Sequence, residues 1–122
     1  MFEKYFPKDF TLETPRLVLM PFSDNGIDHI QFDITDLHAR ALCGTAAYKN
    51  ISFEEHTTEI NWNWDDPENA DQGLIKNLKF VMLSYGFQVM KMDKITMTGD
   101  GSMTIKKEEW QSVKETFFPE LM

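Results

Sequence analysis

Thr57-Thr58-Glu59-Ile60-Asn61-Trp62-Asn63-Trp64 alternates apolar and polar residues with a period of two, and residues 70–90 behind it switch to spacings of three and four. A period of two is that of a strand. One face carries Thr58, Ile60, Trp62 and Trp64, which reads as core; the other carries Thr57, Glu59, Asn61 and Asn63, which reads as solvent or a site. Asp65-Asp66-Pro67-Glu68-Asn69 then supplies turn chemistry and negative charge suited to a helix start. Between Ala70 and Met90, residues Leu74, Leu78, Val81, Met82, Tyr85, Val89 and Met90 make a broad apolar stripe, which predicts a long helix.

Working outward, residues 52–64 as a whole read as strand material. Residues 16–20 predict a strand stopped by Pro21, because Phe10, Leu12, Leu17 and Leu19 are spaced by polar residues. Ser23-Asp24-Asn25-Gly26 is a turn cluster in which Asp24 or Asn25 would cap a short helix. Ile30, Ile34, Leu37, Ala41 and Leu42 recur at helical spacing and predict a helix over residues 28–42, with Gly44 as its C-cap. Towards the C-terminus, Asp93-Lys94 turns into a strand at residues 95–98, and Gly99-Asp100-Gly101-Ser102 is a hairpin signal leading to a strand at residues 103–105. Residues 106–118 close the chain as a helix around Trp110, Val113 and Phe117. No internal repeat or low-complexity stretch interrupts this pattern.

The chain has 122 residues, 42% apolar and 13% aromatic, which suits one ordered domain spanning residues 1–122 without a stapling disulfide or metal. Cys43 is the single cysteine, so no internal disulfide forms and a reducing compartment is expected. Neither a leader-like N-terminus nor a run of membrane-spanning length is visible, and a soluble cytoplasmic protein is expected. A formal charge of −8 argues against nucleic acid and favours amine-bearing small molecules or basic peptides as partners.

Three blocks resemble one family in its order. Leu12-Glu13-Thr14-Pro15-Arg16-Leu17-Val18-Leu19 resembles the opening strand of the GNAT N-acetyltransferases, in the branch that modifies ribosomal-protein N-termini and related amines. The block from Glu59 through Pro67-Glu68 and Leu78-Lys79-Phe80-Val81-Met82-Leu83-Ser84-Tyr85-Gly86-Phe87 to Met92-Asp93-Lys94-Ile95 is similar to that family's fourth strand, cofactor loop, long helix and fifth strand. Ile105-Lys106-Lys107-Glu108-Glu109-Trp110 looks like its closing strand and Glu-Trp ending. The resemblance covers about two thirds of the chain. It implies an α+β fold, a mixed and mainly antiparallel sheet flanked by helices, in shortened form: the stretch between Phe22 and Ser52 is too short for two helices and two full strands. Between Thr98 and Met103 there is no room for the helix that helps hold the cofactor and often carries a tyrosine acid.

The same resemblance implies acetyl-CoA as cofactor, its pyrophosphate cradled by backbone amides at the head of the long helix. The family's glycine loop falls on residues 69–77, so Gln72, Gly73, Leu74, Ile75, Lys76 and Asn77 are the implied contacts; Gly73 alone is plainly kept. Asp71 stands where the family has a small uncharged residue, and a carboxylate there opposes a pyrophosphate, with Lys76 offsetting part of the charge. Glu59, on the polar face of the fourth-strand segment, is the implied base that takes the proton of an attacking amine, directly or through water; read from the strand pattern alone it is a solvent-facing residue. Tyr85 reads as core, and no residue offers itself as the acid.

His29, His38 and His56 lack the spacing of a zinc site. A calcium-loop reading of residues 99–102 fails because it puts Thr96, Thr98 and Lys107 at ligand positions. Trp62 and Trp64 read as core rather than stacking platforms. Three functional readings stay open: an acetyl-CoA-dependent N-acetyltransferase for a primary amine, a non-catalytic interaction or inhibitory module on a remodelled scaffold whose exposed strand edge and acidic face bind a basic partner, and a scaffold shortened by design; whether a second copy completes the open sheet as a homodimer is open in each.

Overall fold

In the computed structural model, which describes residue 6 and residues 10–21, 28–98 and 101–121, the strands form one sheet in chain order. These are β1 (Leu12–Glu13), β2 (Leu17–Pro21), β3 (Ile30–Asp36), β4 (Ala41–Ser52), β5 (Thr57–Trp64), β6 (Lys94–Met97) and β7 (Met103–Lys106). Every neighbouring pair is antiparallel except β5 and β6. A parallel pair needs a crossover, and helix α1 (Gln72–Gln88) supplies it. Helix α2 (Lys107–Phe117) follows β7 directly, its first turn tied by the Glu109 carboxylate accepting from the Lys106 amide at 2.9 Å. No helix among the described residues is long and apolar enough to cross a membrane.

Alternation decides which sheet face meets the helices. Ile30, Phe32 and Ile34 of β3, Ala46 and Tyr48 of β4, and Ile60 and Trp62 of β5 are buried on the side where α1 lies. The Tyr48 hydroxyl crosses to that helix and donates to the Met82 carbonyl at 2.6 Å. From α1, Leu74, Leu78, Met82 and Phe87 descend into the same layer, and Gly86 lets the helix approach β6, since a Cβ there would stand 2.5 Å from Ile95 Cδ1. Phe87 stacks on Trp110 of α2, with ring centroids 5.6 Å apart. Tyr85 packs between Phe6 and Phe10, in keeping with its reading as core. Tyr48→Phe removes one buried hydrogen bond and should cost about 1 kcal/mol in urea unfolding; an unchanged midpoint would show that the hydroxyl contributes nothing.

Three sequence expectations are corrected. The helix over residues 28–42 is instead β3, a turn through residues 37–40 and the start of β4. A spacing of four, as between Ile30 and Ile34, belongs to the strand period as well as the helical one, and Phe32 between them is fully buried. β-Branched Ile30, Ile34 and Thr35 favour the strand, while Leu37 and Leu42 of the supposed apolar stripe are exposed. Gly44 is therefore no C-cap; it lies inside β4 against β5. Residues 53–56 of the supposed strand material form the turn between β4 and β5, with His56 at a positive φ of 60°. Finally, Phe117 is 56% exposed and Phe118 is buried, because α2 ends at Phe117 and the bent backbone of Phe118 turns the next ring inward. The turn and cap at residues 23–26 and the hairpin tip at residues 99 and 100 lie outside the described residues.

Candidate functional site

Pairing between β5 and β6 runs from Thr57↔Lys94 to Ile60↔Met97 and ends with the Thr98 amide donating to the Ile60 carbonyl at 2.8 Å. Past that point β5 continues to Trp64 beside β4, while β6 turns into β7. On the helix side of this divergence lies a groove of about 330 Å³. Ile75, Lys76, Lys79 and Leu83 of α1 form one wall, Met97, Met103 and Ile105 the floor, and Val113 and Phe117 of α2 the other wall. Gln72 opens into it at the head of α1.

That helix head carries a carboxylate cap. Asp71 is the N-cap, and its Oδ1 accepts from the Leu74 amide at 2.8 Å while its carbonyl accepts from the Ile75 amide at 3.1 Å. Arg16, just before β2, clamps the same carboxylate through Nη1 at 3.1 Å and Nη2 at 2.6 Å, and reaches Asp36 at the end of β3 through Nε at 3.1 Å. Hydrogen bonds from Arg16 hold the Asp71 carboxyl below the usual carboxylate range, helped by the Leu74 amide. They do the same for Asp36, against burial that pushes it up and with help from the His38 amide. The two carboxylates raise the Arg16 guanidinium above its ordinary value. Gly73 sits under this cluster, where a Cβ would stand 3.3 Å from Asp71 Oδ1 and 3.4 Å from Arg16 Nη1.

Of the residues implied as phosphate contacts, Gln72, Ile75 and Lys76 border the groove and Gly73 is exposed beside it. Leu74 and Asn77 are buried, and the Asn77 side chain donates from Nδ2 back to the Gly73 carbonyl at 2.8 Å. Glu59 stands elsewhere. It pairs across the sheet with Lys49 and Thr96, whereas its neighbour Ile60 faces α1, so Glu59 points to the opposite face. There it accepts from the Asn50 side chain and borders a polar hollow of about 290 Å³ with Glu55, Thr57, Lys94 and Thr96. The structure thus does not bring Glu59 together with residues 72–77. The sequence reading missed the Arg16–Asp36–Asp71 cluster; Arg16 was visible in its Leu-Glu-Thr-Pro-Arg-Leu phrase, but its partners lie 20 and 55 residues away.

Most of the path of the chain is similar to that of known acetyltransferases. A GCN5-related N-acetyltransferase from Brucella melitensis superposes with a TM-score of 0.77 at 13% identity, over 95% of this chain and 87% of that one. The N-terminal domain of a ribosomal-protein-alanine acetyltransferase from Clostridium acetobutylicum gives 0.62 at 11% identity, over 72% of this chain and 64% of that chain. A spermidine/spermine N-acetyltransferase from Vibrio cholerae gives 0.57 at 16% identity, over 74% and 71%. No family sequence model and no curated protein sequence matches the chain.

Proposed function

We propose that this chain, which has the GNAT acetyltransferase fold in reduced form, is a binding module that does not transfer acetyl groups. The observation that carries this reading is the Asp71 carboxylate on the head of α1, bonded to the Leu74 amide and clamped by Arg16. Arg16 is already shared by Asp36 and Asp71, so a diphosphate arriving there meets surplus negative charge. Two unit charges about 4 Å apart repel by roughly 4 kcal/mol at an effective dielectric of 20. The residues present do not fit the phosphates of acetyl-CoA. The position of Glu59 supports the same reading, because a base must stand within hydrogen-bond reach of the proton it takes, and Glu59 is across the sheet from the groove.

The partner that suits a chain of charge −8 is an amine-bearing small molecule or a basic peptide, met at the hollow where Glu55 and Glu59 lie. A homodimer in which a second copy pairs along the β7 edge extends the same reading. One observation favours a second reading, an acetyl-CoA-dependent N-acetyltransferase acting on a primary amine: the groove that Gln72, Ile75 and Lys76 border begins beside the helix head. Acetyl-CoA with spermidine, or with a lysine-rich peptide, decides between them. No release of free thiol above the blank is expected, and steady turnover would establish the transferase.

A further inference from the structure

The groove between α1 and α2 has a local charge opposite in sign to that of the protein. The chain carries 20 acidic against 12 basic residues, yet among the described residues the charged side chains lining the groove are Lys76 and Lys79 alone. They lie three apart on α1, hence on one side of the helix. Lys76 already reaches a carboxylate at the rim, Glu120 Oε1 at 3.2 Å, with both side chains about half exposed. Lys79 holds its ammonium 5.5 Å from the centre of the Trp62 ring. Away from these two cations and the neutral polar side chains of Gln72 and Thr116 the lining is apolar, with Met97, Met103, Ile105, Val113 and Phe117 prominent. Met103 and Phe117 are each 56% exposed, an unusual placement for two large apolar side chains on the same groove.

We infer that this groove binds a medium-chain aliphatic carboxylate, with its head between Lys76 and Lys79 and its tail along Met97, Met103, Ile105 and Phe117. The size agrees. Small-molecule sites begin at about 300 Å³, and at about 30 Å³ for a water-sized group a volume of about 330 Å³ holds roughly ten non-hydrogen atoms, the size of octanoate. The head exchanges with Glu120, a half-exposed carboxylate, so the ligand's anion takes over a contact that the protein already makes. This site goes beyond the module reading above. It lies across the sheet from Glu59 and takes the opposite charge.

Octanoate, octylammonium and octanol, each titrated into the full chain and followed by NMR, separate charge from mere greasiness. Octanoate should shift the signals of Met97, Met103, Ile105 and Val113, and should bind at least tenfold more tightly than either of the others. Lys76→Met and Lys79→Met should each weaken it about tenfold, the scale of one charge-assisted contact. Met103→Glu, a change at an exposed position that leaves the fold intact, should weaken it similarly. Equal response to octylammonium, shifts confined to other residues, or indifference to the lysine substitutions would overturn the inference. Silence towards octanoate overturns this site alone, whereas acetyl transfer in the thiol assay overturns the module reading alone.

Discussion

Gly44→Ala is expected to destabilise the protein by about 3 kcal/mol, at the upper end of what an added methyl costs in a packed core. The reason is a backbone contact. A Cβ built at Gly44 would stand 2.4 Å from the Asn63 carbonyl oxygen and 3.2 Å from the Trp64 Cα, and neither atom can rotate away. Strands β4 and β5 would have to part just where Gly44 pairs with Trp64 and where the Asp65 amide donates to the Cys43 carbonyl at 2.9 Å. Gly86→Ala makes a useful contrast, because its close neighbour is the Ile95 Cδ1 methyl, the end of a side chain that can repack. Urea unfolding at neutral pH should place Gly44→Ala well below Gly86→Ala in stability. Equal losses would mean that β4 and β5 are not so closely apposed.

Arg16→Met should cost about 3 kcal/mol at pH 7, because it leaves Asp36 ionised and poorly hydrated without its partner. The Asp36 carboxyl side chain is only 12% exposed, so water cannot fully replace the guanidinium. Asp71 at 53% exposed contributes less. The pH dependence has a definite sign. Folded-state pKa values of Asp36 and Asp71 are held below ordinary, so their contribution is present above about pH 4 and is lost as pH falls through the folded values. The difference between wild type and Arg16→Met should therefore be largest at neutral pH and narrow below about pH 4, as Asp36 takes up its proton. A deficit that grows in acid, or one under about 0.5 kcal/mol at pH 7, would show that the cluster is an exposed ion pair of little consequence.

The parts of the fold legible in the sequence are those where a single period governs many residues. Alternation at residues 57–64 and the long stripe behind it can be read in only one way, and the structure forms β5 and α1 there. Residues 28–42 misled because Ile30 and Ile34 satisfy both periods, and Phe32, which decides between them, gains its meaning only from contact with Ala46 and Tyr48 across the sheet. Gly44 misled for a related reason: a glycine after an apolar run suits a helix end and a close strand crossing alike, and the Asn63 oxygen that distinguishes them is remote in sequence. Asp71 was recognisable as misplaced for a phosphate site, since its position follows from the loop pattern. That it caps the helix and is pinned by Arg16 was not, because the clamp joins three separated segments.

Calorimetric titration of coenzyme A into the wild-type chain and into Asp71→Gly bears most directly on whether the head of α1 is closed to phosphates. Glycine is a tolerable N-cap, so the variant keeps its helix while losing the carboxylate. The wild type should give no saturable heat at millimolar ligand, and Asp71→Gly, with Arg16 turned towards the bare amides, should bind measurably. Saturable binding to the wild type, unimproved by the substitution, would contradict the account.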